Sequence, residues 1–308
     1  MSQLALSSRP ILVLGATGTV GREVVRALRA RDATVLALVR SQASAAALPP
    51  GVGATLGDLG DVAAVQGAVG RAGAVFFVNP HEADEELYAE NVLSACERAG
   101  VRLVFVGVHV DARWKWLRAL LRALYGSLFP HYKPRFRIGE RVFSAGTKTQ
   151  LLLASPFYQN DEVFHPDVLE GRYTQPLGTK GITGVDVRDI GEIAAKLLVE
   201  EGHPAGCYPV TGPSPVSGPE AAAIWTEALG RPVTYAGHEP AMWTRAISTR
   251  LTGRKREDWL KTYRALAKMS GGPNPVELAR TAEMLGRAPY SYRDYVNRVV
   301  GLTRPASR

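Results

Sequence analysis

A doubly wound α/β fold, with a parallel sheet covered by helices on both faces and a smaller, mostly helical C-terminal region, is the architecture this sequence predicts. Two observations carry it. Apolar strand-like runs alternate with helical patterns across short links in the first half of the chain, which implies right-handed crossovers and a sheet buried on both sides. The first such unit, Ile11-Leu12-Val13-Leu14, breaks into Gly15, Gly18 and Gly21 and then turns helical, with Val20, Val24, Val25 and Leu28 on one face. Gly15 permits a sharp turn, Gly18 removes a side chain where backbone must approach a pyrophosphate, and Gly21 lets helix pack on strand. Phosphates would rest on free amides at the positive end of that helix, which makes Gly15, Thr17, Gly18, Thr19, Val20 and Gly21 candidate dinucleotide ligands. An ordinary glycine-rich turn is the alternative.

At 308 residues the chain holds one large domain or a core domain with an annexe. Hydrophobic content of 46% and charged content of 21% exclude wholesale disorder, leaving only Met1–Ser8 and Thr303–Arg308 as frayed ends. No run approaches the roughly 18–20 apolar residues of a membrane span, and no signal peptide is apparent, so a cytoplasmic location is expected. Cys96 and Cys207 suit reduced thiols and have no metal spacing. The net charge of +8 is concentrated in Arg113–Lys148 and Arg245–Lys268. Neither stretch contains a nucleic-acid module, so nucleic acid is not an expected partner; a solvated basic face and attraction of cofactor phosphate are the readings.

Following the first helix, expected to end near Arg31, the strand Thr34–Arg40 closes on an arginine. An acid there would bind a free ribose 2′-hydroxyl, whereas Arg40 suits the 2′-phosphate of NADP. The next strand ends in Gly57-Asp58-Leu59. Asp58 is placed to accept from an adenine amino group or to cap the helix Asp61–Val69. A fourth strand, Ala74–Val78, runs into Asn79-Pro80; a helix Asp84–Ala99 and a fifth strand, Arg102–Val108, follow.

These segments resemble an atypical short-chain dehydrogenase/reductase of the NmrA-like group. The resemblance rests on Gly15-Ala16-Thr17-Gly18-Thr19-Val20-Gly21, Leu38-Val39-Arg40, Gly57-Asp58-Leu59, Ala95–Val101, Gly184–Gly191, Gly206–Gly212 and Leu229–Tyr235, and so spans most of the chain. It implies an NADP(H)-binding Rossmann core at residues 1–158, with 181–200 returning to it, and a region at 159–308 that shapes a substrate cleft. It also implies that Leu59, Asn79, Pro80, Pro156 and Phe157 contact cofactor. Because the group includes both reductases and silent dinucleotide sensors, it does not name a reaction.

The departures fall where chemistry would occur. Short-chain dehydrogenases pair a tyrosine with a lysine four residues later, which lowers the phenol's pKa. Tyr132 is instead followed at that spacing by Phe136, and Pro134 places Tyr132 and Lys133 ahead of the helix Arg135–Ala145. The serine usual after the fifth strand is absent, leaving Gly107-Val108-His109. His109 is an acid, a substrate anchor or a polar strand end; together with Tyr132 and Lys133 it is a catalytic candidate.

Asp111–Phe129 reads as an amphipathic helix, with Trp114, Leu117, Leu120, Leu121, Leu124, Tyr125 and Leu128 on one stripe and Arg113, Lys115, Arg118 and Arg122 off it. Its stripe is expected to pack on its own protein as a lid, or to form a homodimer or protein-partner contact; a membrane-surface helix is the alternative. After the strand Gln150–Ser155, the exit Pro156–Asp161 corresponds to the family's loop beside the nicotinamide. There Phe157 and Tyr158 would pack on cofactor or substrate and Gln159 and Asn160 would orient a carbonyl, unless the aromatics fill their own core. Asp186 and Asp189 read as ties around a helix 189–200. Met242, Trp243 and Trp259 lie on helices expected at Pro240–Thr249 and Glu257–Ser270, as cleft or core residues. The functional expectation is an NADP(H)-dependent oxidoreductase of a small apolar carbonyl, quinone or enone substrate. A non-catalytic NADP(H) sensor acting through a partner protein is the alternative.

Overall fold

The computed structural model describes residues 9–80, 82–110, 114–145, 148–267 and 271–303. Of the expected frayed ends Met1–Ser8 and Thr303–Arg308, residues 1–8 and 304–308 lie outside them, as do Asp111 and Arg113, whereas Thr303 is the last residue of a helix. Two compact units divide the chain: residues up to Ala154 with Val187–Pro209, and Ser155–Asp186 with the chain from Val210 onward.

In the first unit, β1 (Ile11–Leu14), α1 (Thr19–Arg29), β2 (Val35–Val39), α2 (Gln42–Ala46), β3 (Gly53–Leu56), α3 (Val62–Gly70), β4 (Ala74–Val78), α4 (Glu85–Ala99), β5 (Arg102–Gly107), α5 (Lys115–Leu128), α6 (Lys133–Phe143) and β6 (Thr149–Ala154) follow in order. The sheet runs β3-β2-β1-β4-β5-β6 and ends on the strand Gly206–Val210. Its six labelled strands pair in parallel. Leu14 lies opposite both Leu38 and Phe77, so β1, β2 and β4 end nearly flush. Strand order reverses between β1 and β4, and in such sheets ligands bind beyond the carboxyl ends at that reversal. Leu12, Leu14, Val75, Phe77, Leu103 and Phe105 are almost wholly buried, which explains strands apolar along their whole length.

The second unit has two short strand pairs and the helices Gly218–Leu229, Pro240–Arg250, Gly253–Leu266, Pro275–Leu285 and Tyr292–Thr303. Ser217 and Glu220 cap the first of these reciprocally. One core gathers Tyr158, Tyr173, Trp225, Tyr292 and Tyr295, and another gathers Phe164, Trp243, Ile247 and Tyr263.

Several boundaries differ from expectation. Asp61, not Asp58, caps α3, accepting from Ala63 N at 2.9 Å and Ala64 N at 3.1 Å. Lys133 is the first residue of α6, because Pro134 is tolerated in a first turn, where an amide has no intrahelical acceptor. The helix expected at Glu257–Ser270 begins at Gly253; residues 268–270 lie outside the described set. The short α2, capped by Ser41, carries no apolar periodicity that would announce it.

The largest difference concerns α5. Its arginines face α6, with Arg118 4.9 Å above the Phe143 ring and Arg122 3.0 Å from Glu140. Tyr125 stacks on Phe136 at 6.3 Å. With that flank satisfied by α6, the apolar row turns outward. Trp116, Leu120, Leu124 and Leu128 are 64%, 59%, 52% and 62% exposed, while Leu117 and Leu121 are half-buried and Tyr125 meets Phe136, so only one edge of the stripe packs on the fold.

Candidate dinucleotide site

At the carboxyl edge of β1, β2 and β3 lies a groove of about 170 Å³, whose walls include Gly15, Thr17, Arg40, Ser44, Asp58 and Glu82. Gly15 adopts φ +82°, a left-handed conformation that glycine reaches at no steric cost. A Cβ on Gly21 would stand 2.0 Å from the Gly15 carbonyl oxygen, so any side chain there separates α1 from the turn. Gly18 begins α1 with no side-chain cap, so no side chain competes for the amides of its first turn. Turn, glycine backbone and uncapped helix start together form a cradle suited to a pyrophosphate.

The adjoining electrostatics are mixed. Arg40 is the one cation among the described lining residues, and Asp58 and Glu82 are both acids. Arg40 Nη1 stands 3.7 Å from Glu82 Oε1, with the two side chains 72% and 43% exposed. Water screens such a pair, so its contribution to stability is small. Desolvation, then the carboxylates of Asp58, Glu82 and Asp84, hold the Tyr88 hydroxyl above its ordinary pKa. The Asp58 loop is braced twice: Asp58 Oδ1 accepts from Gly60 N at 2.8 Å, and Asn91 Nδ2 donates to Leu59 O at 2.9 Å. At the exit of β4, Asn79 Nδ2 donates to Glu85 O at 2.8 Å, while its buried Oδ1 has no hydrogen-bond partner among the described residues. An enclosed acceptor left open in this way suits a ligand hydroxyl.

The catalytic candidates occupy two neighbourhoods along α6. His109, with its side chain 2% exposed, stacks on Phe143 at 4.5 Å, and its Nδ1 stands 3.8 Å from Glu140. Tyr132 sits in the turn before α6, with the Arg135 guanidinium 4.7 Å over its ring. Lys133 is exposed beside it, its stem packed near Gly126. Phe136, four residues beyond Tyr132, is buried, so no ammonium stands at that spacing.

In the second unit Phe157 and Asn160 keep accessible surface and Pro156 is exposed, whereas Tyr158, Gln159 and Trp243 are buried. Tyr158 packs 5.4 Å from Tyr292 and 6.1 Å from Tyr295. Gln159 Nε2 donates to Asp186 Oδ1 at 3.0 Å. Trp114, in the first unit, is 52% exposed. Ser44, Glu82 and Tyr88 also line the groove, although no sequence motif marks them. Ser44 follows Arg40 closely, but nothing in the sequence connects Glu82 with β2.

Comparison with known proteins places this architecture. Residues 7–284 match the sequence model of the NmrA-like family. An NAD(P)H azoreductase of Xenophilus azovorans is 33% identical over 227 residues, covering 73% of this chain and 76% of that protein. The NADPH complex of the Escherichia coli quinone oxidoreductase QOR2 superposes with a TM-score of 0.75 at 20% identity, covering 94% of this chain and 99% of that one. NmrA, a negative transcriptional regulator, superposes with a TM-score of 0.65 at 19% identity, covering 96% and 97%. With the family model matching most of its length, the chain belongs to the NmrA-like family.

Proposed function

We propose that the protein is an NADP(H)-dependent oxidoreductase of a small apolar carbonyl, quinone or enone. The observation that carries this reading is the groove itself: an uncapped helix start reached over glycine backbone, with a cation at the end of β2 where an acid would select a free 2′-hydroxyl. The azoreductase and quinone reductase among its relatives support the acceptor class. Bound NADPH would supply the hydride. The chain's part is to seat the phosphates at Gly15–Gly21, receive the 2′-phosphate at Arg40 and Ser44, and accept a ribose hydroxyl at Asn79. Phe157, Tyr158, Gln159, Asn160, Trp114 and Trp243 remain the proposed acceptor-side residues, with Phe157 and Asn160 foremost because they are accessible.

As negative charge develops on the acceptor, a donor must meet it. Of Tyr132, Lys133 and His109, His109 is favoured, because it follows the carboxyl end of β5 and its ring is stacked on Phe143, with the Glu140 carboxylate 3.8 Å from its Nδ1. His109→Asn is expected to lower kcat about a hundredfold with NADPH affinity unchanged. Unchanged turnover in that variant, with a loss in Tyr132→Phe or Lys133→Met, reassigns the role.

Cofactor choice gives a second test. Arg40→Asp is expected to weaken NADPH binding about tenfold or more while sparing NADH, and Glu82→Gln, which removes a carboxylate beside Arg40, to tighten NADPH binding about three- to tenfold. Fluorescence titration of both nucleotides reads each effect; equal affinities of the unmodified protein for NADH and NADPH would remove the assignment of Arg40. The sensor reading is supported by Phe136 in place of a lysine four residues beyond Tyr132 and by Gly107-Val108-His109 in place of a serine after the fifth strand. It predicts nucleotide binding without turnover.

A further inference from the structure

We propose that α5 lays the protein on an anionic lipid surface. Trp116, Leu120, Leu124 and Leu128, spaced four residues apart, form one exposed row, extended at its start by Trp114, whose ring stacks on Trp116 at 6.0 Å. Ala119 and Ala123 are exposed beside the row and add no polar group to it. The patch is on the order of 500 Å², at the upper end of what a monomer leaves in water. A water-facing helix presents its charges outward; here Arg118 and Arg122 turn toward α6 and the apolar residues face solvent.

Charge selects the occupant. Between Ala112 and Gly139 the sequence has seven lysines and arginines and no acidic residue. Arg122, Arg135 and Arg137 have carboxylate partners at Glu140, Glu85 and Glu86, while Lys115 at the start of α5 and Lys133 at the start of α6, its stem near Gly126, stay exposed. A second copy of the chain would bring these lysines against their equivalents with no acid on α5 to meet them, so self-association through the face is electrostatically opposed. The row itself offers no polar anchor to a shaped protein groove, and Tyr125 and Ser127 are exposed only beside its last turn. A bilayer needs no such anchor, and its anionic headgroups would meet Lys115 and Lys133 while the aromatic pair sits at the headgroup level. The 14-residue helix is about 21 Å long, and among the described residues no helix is long and apolar enough to cross a membrane. The helix would therefore lie in the interface.

The test is co-sedimentation of the full chain with vesicles of phosphatidylcholine alone and of phosphatidylcholine with phosphatidylglycerol, with tryptophan emission read in parallel. Binding is expected to the anionic vesicles, to weaken with added salt, and to shift the emission of Trp114 and Trp116 to the blue. Leu120→Glu with Leu124→Glu, both at exposed positions, is expected to reduce partitioning about tenfold or more without changing the melting temperature or NADPH affinity; Leu120→Ser with Leu124→Ser is expected to act in the same direction. No binding to either vesicle, equal binding to both, or binding indifferent to these substitutions overturns the proposal. So does a concentration-dependent dimer that the same substitutions abolish in the absence of vesicle binding.

Discussion

Gly21→Ala is expected to cost several kcal/mol of stability and to abolish nucleotide binding under conditions that saturate the unmodified protein. The atom its Cβ would strike, the Gly15 carbonyl oxygen at 2.0 Å, belongs to the backbone and cannot rotate away. Overpacking of this kind costs about 1–3 kcal/mol where neighbours yield, and more where they do not. Displacing α1 also moves the amides that would receive the pyrophosphate. Gly18→Ala separates the two consequences. Its Cβ would stand 3.3 Å from the same oxygen, a tight contact that a small shift accommodates. That variant should melt within a few degrees of the unmodified protein yet bind NADPH about tenfold more weakly, because a methyl group enters the cradle. Scanning fluorimetry with and without NADPH distinguishes them; normal nucleotide binding by Gly21→Ala would mean that the turn does not hold the phosphates.

The second large effect lies in the buried network of the second unit. Asp161 is fully buried and accepts hydrogen bonds from Tyr292 Oη and, at 3.2 Å, from Trp225 Nε1. Burial, opposed by those bonds, raises its carboxyl from 3.8 to about 6. His165, whose Nε2 pairs with Tyr295 Oη at 3.1 Å, is lowered by burial from 6.5 to about 4. The two act in opposite senses. Asp161 favours the folded state below pH 3.8, and that contribution is lost as pH rises through about 6. His165 contributes above pH 6.5, and its contribution is lost as pH falls through about 4. Each amounts to about 3 kcal/mol, so together they nearly cancel across the shared window. Asp161→Asn should therefore expose acid lability between pH 6.5 and 4, while His165→Asn should make the protein less stable as pH rises over the same range. Denaturant midpoints measured across that window check the signs; two variants tilting in the same direction would refute the coupling.

The parallel sheet was legible because its strands are apolar throughout, and a continuous run between turn signals has few other places to lie. Glycine spacing located the cradle for a similar reason: Gly21 answers to a steric limit within its own β1–α1 unit. Groups set by distant segments escaped. Glu82 meets Arg40 across 42 positions of sequence, and Asn91 reaches Leu59 across 32, with no local pattern recording either pairing. Amphipathicity showed that α5 has an apolar face but not which way it turns, because that depended on Glu140 and Phe143 receiving the arginines from another helix. At Pro156–Asn160, composition alone left open whether the aromatics serve a ligand or a core, and the structure buries Tyr158 but not Phe157.

Reductase and sensor diverge most directly in the fate of the nicotinamide hydrogen. The decisive measurement is the rate of absorbance loss at the reduced-nicotinamide band for NADPH and for NADPH deuterated at the transferred position, across quinone, azo and enone acceptors. Acceptor-dependent oxidation, slowed about two- to fivefold by deuterium where hydride transfer limits the rate, is the predicted result. Stoichiometric NADPH binding with no acceptor-dependent oxidation across that panel would contradict it.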